Sequence, residues 1–137
     1  IYNIAPILPG HSLVIPKKHI ESVLELSDVE LAEFMCFGRD VVKLLLEAFH
    51  SNSFNWTIQE KEAAGQSVPH LHMHIIPRQA GDLPRPGDWY PRIQENSLSP
   101  EIIDSKDRRR LNDEEMARVV GHLRTIANKY GLRKSAP

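Results

Sequence analysis

Three of the seven histidines in this 137-residue chain stand at alternate positions, in His70-Leu71-His72-Met73-His74. In an extended strand successive side chains point to opposite faces, and residues i and i+2 lie about 7 Å apart on one face. Read as a strand, the segment places all three imidazoles on one face and Leu71, Met73 and Ile75 on the other. A helix would scatter them, and the following Ile75, Ile76 and Pro77 favour a strand that stops. The apolar set supplies a core contact, which leaves the histidines on a face that need not be buried. A lone histidine is more often structural than functional, but packing does not explain three on one strand face.

Two chemistries suit such a trio. Three imidazoles and a water form a known catalytic zinc arrangement. Alternatively, one imidazole is a nucleophile and its neighbours donate hydrogen bonds to phosphoryl oxygens. An ordinary imidazole, with a pKa of about 6.5, keeps a nucleophilic nitrogen available at neutral pH. The loop before the histidines, Ala64-Gly65-Gln66-Ser67-Val68, offers a glycine, backbone N–H groups and a hydroxyl. Those groups suit an oxyanion better than a cation. Pro9-Gly10-His11 lies far upstream, and His11 reaches the trio if its strand neighbours theirs.

The elements that must hold these residues follow from pattern and punctuation. Tyr2 to Ala5 and His11 to Ile15 read as short strands joined by the turn-rich residues 6–10, and Pro16 ends the second. Ser27 with Glu30 forms a capping box for a helix reaching about Phe49. Its core face carries Leu31, Phe34, Met35, Val41, Val42, Leu45 and Leu46 at helical spacing. Phe54 to Gln59 is a third strand and His70 to Pro77 a fourth. Residues 79–111 hold four prolines (Pro84, Pro86, Pro91 and Pro100) and read as a long flexible loop, with Trp89 and Tyr90 inside it. Arg108-Arg109-Arg110 has acidic neighbours at Asp104 and Asp107 and reads as solvated surface. Asn112 and Glu115 open a closing helix with Met116, Val119, Val120, Leu123 and Ile126 on one face and Gly131 as its stop. The expected fold is α+β, one domain over 1–137, with helices on an antiparallel sheet.

Bulk properties narrow the class. A formal net charge of −1 provides no global field to gather polyanions, so nucleic acid is not an expected partner and any phosphate site must be built locally. The single Cys36 cannot close an internal disulfide and fits a reducing compartment. Neither a membrane-spanning run nor a signal peptide is expected.

The motif His70-Leu71-His72-Met73-His74-Ile75-Ile76 resembles that of the histidine triad superfamily, His-φ-His-φ-His-φ-φ with φ apolar. The match is nearest the fragile histidine triad branch of dinucleoside polyphosphate hydrolases, in particular its fungal members. It rests on Gln59, on Ala64-Gly65-Gln66-Ser67-Val68, and on Pro77-Arg78 followed by Ala80-Gly81-Asp82. The phosphoramidase branch usually carries Gly-Gly after the motif, and the uridylyltransferase branch places Gln at the third histidine.

The resemblance implies hydrolysis of diadenosine triphosphate or tetraphosphate to AMP and the remaining nucleotide. His72 would be the nucleophile, His70 would orient its ring through the backbone carbonyl, and His74 would donate toward phosphate or ribose. Gln59, Gln66, Ser67 and His11 would hold phosphoryl oxygens, Asn3 the ribose, and Leu13 the base. Tyr90 falls at the spacing of a tyrosine in the family's mobile loop. It also implies no tightly bound cofactor or protein-held metal, with magnesium or manganese carried on the substrate phosphates. The implied assembly is a homodimer with joined sheets, in the cytoplasm or the nucleus. A phosphoramidase, a nucleotidyl-DNA hydrolase, a zinc hydrolase and a non-catalytic nucleotide sensor are the rival readings. The chain departs from the branch at Glu60-Lys61-Glu62, where the family usually has Asp-Gly-Pro. The family's first strands, which help form the base pocket, are expected to lie before Ile1.

Overall fold

A computed structural model of the chain describes residues 1–90 and 108–132. Among them the elements run β1 (Ser12–Val14), α1 (Asp28–Ala48), β2 (Ser53–Ile58), β3 (Met73–Arg78) and α2 (Asp113–Lys129). The strands make one antiparallel sheet in the order β1-β3-β2. The histidine strand is therefore central, paired on both sides. Leu13 of β1 and Thr57 of β2 both sit opposite His74, while Val14 and Ile58 both sit opposite Met73.

The alternation in β3 divides the sheet into two faces. Leu71, Met73 and Ile75 are fully buried and join Phe34, Val42, Leu44 and Leu45 of α1 in the main core. Burying each such side chain contributes about 1.5–3 kcal/mol, which makes this layer the anchor of β3. Helix α1 lies close to the sheet because Gly38 has no side chain. A Cβ there would come within 3.0 Å of the Met73 sulfur. The capping box of Ser27 and Glu30 starts α1, and Asn112 with Glu115 starts α2 in the same way. Gly131, at φ +67°, ends α2. Helix α2 buries no residue fully, but Leu123, Ile126 and Ala127 pack against the core. Lys129 and Tyr130 both bond to Glu47 of α1, at 2.8 and 2.5 Å.

Several sequence expectations need correction. Tyr2 to Ala5 is not a strand: Tyr2 makes only an isolated bridge to Ser12. The side chain of Asn3 accepts the Ala5 N–H at 2.9 Å and turns the chain. The ladder of β3 begins at Met73 rather than His70. Continuing it would pair Leu71 with Pro16, which has no N–H to give. The Leu71 N–H instead donates to the Ile20 carbonyl at 2.7 Å. Leu31 is exposed at 37% and stays out of the core, and Leu44 takes a core place not assigned to it.

The histidine face is also covered rather than open. Ile7 and Ile76 are buried there, with Leu8 and Trp89 packed on them. The start of the expected loop is pinned: Arg78 makes a bidentate pair with Asp82 at 2.8 Å to each oxygen and donates to the Pro86 carbonyl. Residues 91–107 of that loop lie outside the described residues.

Gly10 joins the covering segment to β1 at φ +91°, with Pro77 and Phe49 so near that a Cβ would lie 2.6 and 2.8 Å from their side chains. Gly10→Ala adds left-handed backbone strain to overpacking and should lower unfolding free energy by about 2–4 kcal/mol. Urea unfolding with an unchanged m-value reads this directly. A loss under about 0.5 kcal/mol would show that the turn is free to adjust.

Candidate active site

His72 sits just before β3, outside the ladder. Its Nδ1–H donates to the His70 carbonyl at 2.7 Å. A carbonyl only accepts, so the neutral ring carries its proton on Nδ1 and keeps the Nε2 lone pair. The next ring, His74, lies edge-on to His72 with centroids 5.0 Å apart. His11, wholly buried, stands 5.2 Å from His74 on its other side.

Hydrogen bonds also order the protons of this pair. The Ile7 N–H donates to His11 Nδ1 at 3.2 Å, so neutral His11 carries its proton on Nε2. That nitrogen is 2.9 Å from His74 Nδ1, which must accept. His74 is left with an Nε2–H donor on the cavity wall. Burial first, then the charges of His74 and Arg108, hold His11 well below the ordinary imidazole range. Burial, then His72 and Arg108, push His74 down to about 3. Both rings are therefore neutral donors and acceptors rather than cations.

A cavity of about 360 Å³ collects most of the residues singled out in the sequence: Asn3, His11, Leu13, Gln59, Ser67, His72 and His74. The Gln59 amide nitrogen is buried and has no hydrogen-bond partner among the described residues. Such a donor costs about 1–3 kcal/mol unless something in the cavity accepts from it.

Gln66 and His70 lie elsewhere. Gln66 braces the loop, accepting from the Lys61 N–H at 2.6 Å and donating to the Glu21 carbonyl at 2.9 Å. His70 turns toward His19 and donates to the Pro16 carbonyl at 3.0 Å. The three imidazoles thus do not converge, and among the described residues no group of three His, Cys, Asp or Glu is placed to hold a metal.

Lys61 occupies φ 66°, ψ 172°, a region that costs a non-glycine residue about 1–3 kcal/mol. Its ammonium reaches Glu21 at 2.9 Å, so its charge is engaged there rather than in the cavity. Tyr90 packs edge-on to Trp89 and does not line the cavity. Arg108 and Arg110 also line it; Arg109 and Arg110 are exposed, as expected of a solvated run, while Arg108 is half-buried. Nothing local to them in the sequence points across to the histidines.

A family model for the HIT domain matches residues 1–81. The chain belongs to the histidine triad family. It is 37% identical over 94 residues to the asymmetrical bis(5'-nucleosyl)-tetraphosphatase of Schizosaccharomyces pombe, covering 69% of this chain and 52% of that protein. It is 32% identical over 127 residues to the bifunctional bis(5'-adenosyl)-triphosphatase/adenylylsulfatase FHIT of Arabidopsis thaliana, covering 90% of this chain and 70% of that one. These relatives put this histidine triad chain in the fragile histidine triad branch. The chain spans about half the length of the Schizosaccharomyces relative. Its fold matches a hypothetical histidine triad nucleotide-binding protein of Sulfolobus tokodaii with a TM-score of 0.72 at 29% identity, over 94% of this chain and 76% of that one.

The neutral pair in this histidine triad site has a thermodynamic signature. Unfolded imidazoles bind a proton near pH 6.5, where the folded His11 and His74 do not. Their contribution to stability is full above about pH 6.5 and is lost as pH falls toward the folded value, about 3 for His74. The slope is at most about 1.4 kcal/mol per pH unit for each ring. His74→Gln should flatten the fall in unfolding free energy between about pH 6.5 and 4. An unchanged slope in urea titrations across that range would show that His74 is not buried neutral.

Proposed function

We propose that the chain is the nucleotide-binding and catalytic unit of a dinucleoside polyphosphate hydrolase, taking diadenosine triphosphate or tetraphosphate to AMP and the remaining nucleotide. The observation that carries this reading is the Nδ1-tethered His72, its Nε2 free beside the His74 donor and the unpartnered Gln59 amide. The names of the two relatives support the same substrate class. A smaller apolar cavity of about 250 Å³, lined by Ile1, Leu13, Ile15 and Val68 together with His70 and His72, suits a nucleobase and ribose. The larger polar cavity then receives the phosphates, with His72 on the wall of both.

The reaction proceeds by two displacements. The Nε2 lone pair of His72 forms a bond to the α-phosphorus, and the bond to the departing polyphosphate breaks with its electron pair on the bridging oxygen. Water then attacks the nucleotidyl-histidine, the P–N bond breaks with its pair returning to Nε2, and AMP leaves. Fixed donors from His74, Gln59 and Ser67 stabilise charge on the equatorial oxygens, the largest contribution expected in such chemistry. Magnesium or manganese enters on the substrate phosphates.

A homodimer joined through β2 fits the exposed Phe54 and Trp56 on that edge strand. Cys36 is free and exposed, which fits a cytoplasmic or nuclear setting. Among the described residues no helix is long and apolar enough to cross a membrane.

His72→Asn should lower kcat/KM for diadenosine triphosphate by about 10⁴-fold or more, while AMP affinity changes by less than about threefold. His74→Ala removes one donor and should cost about 10²–10³-fold. Equal residual turnover in the two variants would mean that His72 is not the nucleophile.

A further inference from the structure

The two buried histidines of the phosphate-side cavity, His11 and His74, are neutral, yet a polyphosphate brings several negative charges. The described wall of the cavity contains two guanidinium groups, Arg108 and Arg110, and no carboxylate. Their placement is built into the fold. The Leu111 N–H donates to the Ile4 carbonyl at 2.9 Å, which ties the segment to the turn that forms the cavity's roof. The next residue, Asn112, caps α2 and fixes the other side. The Arg109 guanidinium, between the two arginines, pairs with Glu115 in the first turn of α2. The field of Arg108 also reaches both His11 and His74, favouring their neutral forms.

The two cavities share Leu13, Val68 and His72, and the arginines line only the larger one. Given a nucleoside in the apolar cavity and the α-phosphate at His72, the phosphates beyond the α position extend toward the arginines. We propose that Arg108 and Arg110 are substrate-binding residues that grip the phosphates of the leaving nucleotide and make the site select polyphosphate over uncharged leaving groups. This rests on the hydrolase reading above and adds to it the residues that set leaving-group specificity. A guanidinium suits the task because its planar donors match phosphate oxygens in pairs.

The test compares wild type with Arg108→Gln, Arg110→Gln and the double variant on two substrates. One is diadenosine triphosphate; the other is an aryl ester of AMP, whose leaving group has no phosphate. Losing charge-assisted hydrogen bonds should lower kcat/KM for the dinucleotide by about 10- to 100-fold, mainly through KM, with a much smaller loss on the ester. Arg108→Lys should recover part of the loss. Equal losses on both substrates, or none on either, would overturn the assignment. Calorimetric binding of AMP, ADP and ATP provides a readout independent of turnover. Wild type should prefer the longer phosphate chains, and the double variant should lose most of that preference. A wild type that binds AMP as tightly as ATP would overturn the arginine role. A wild type that shows the preference but turns over neither substrate would overturn the hydrolase reading and leave the arginine grip supported.

Discussion

A single hydrogen bond, from His72 Nδ1–H to the His70 carbonyl at 2.7 Å, sets what the rest of the site can do. It selects one tautomer, fixes the ring plane and leaves Nε2 as the only nitrogen with a free lone pair. In a regular strand the carbonyl of residue 70 would bond sideways to a neighbouring strand and not reach the ring two residues on. The ladder must therefore stop before this point on both sides. On the β1 side Pro16 has no N–H to offer Leu71, and its carbonyl takes the His70 ring instead. On the β2 side, which the His70 carbonyl would face in a regular strand, the pairing ends at Ile58 and Met73.

What holds the released segment in place is the opposite face of the sheet. Leu71, Met73 and Ile75 are exposed by 1% or less and pack with α1, so β3 cannot slide without exposing its whole core set. The same register brings Leu13 and Thr57 to His74 and lets Ile7, Leu8 and Trp89 close over the histidine face. Closure has an electrostatic result. It desolvates His11 and His74, keeps them neutral, and turns two potential cations into an ordered chain of donors running from the Ile7 amide. Positive charge is supplied instead by arginines from the far side of the loop.

The legible parts were those encoded by local pattern. Alternation in 70–76 revealed the two faces of β3, and the Ser27 and Asn112 boxes marked helix starts that the structure reproduces. What could not be read was set by distant partners. That Tyr2 to Ala5 forms a turn depends on the Asn3 side chain outcompeting the ladder, and the late start of β3 depends on Pro16, some fifty residues upstream. His70 and Gln66 matched the motif yet serve the scaffold with their side chains, because Pro16 and Glu21 happen to be the acceptors within reach. That Arg108 and Arg110 line a cavity leaves no trace in a polar triplet, because the residues across from them are distant in sequence.

The stereochemical course at phosphorus tests the covalent role of His72 most directly. Each in-line displacement inverts the phosphorus once. Attack by His72 followed by attack of water makes two inversions, so a substrate made chiral at the α-phosphorus with sulfur and labelled oxygen should give AMP thiophosphate of retained configuration. Net inversion would mean that water attacks directly in one step, and it would contradict a nucleotidyl-histidine intermediate even if every substitution at His72 abolished turnover.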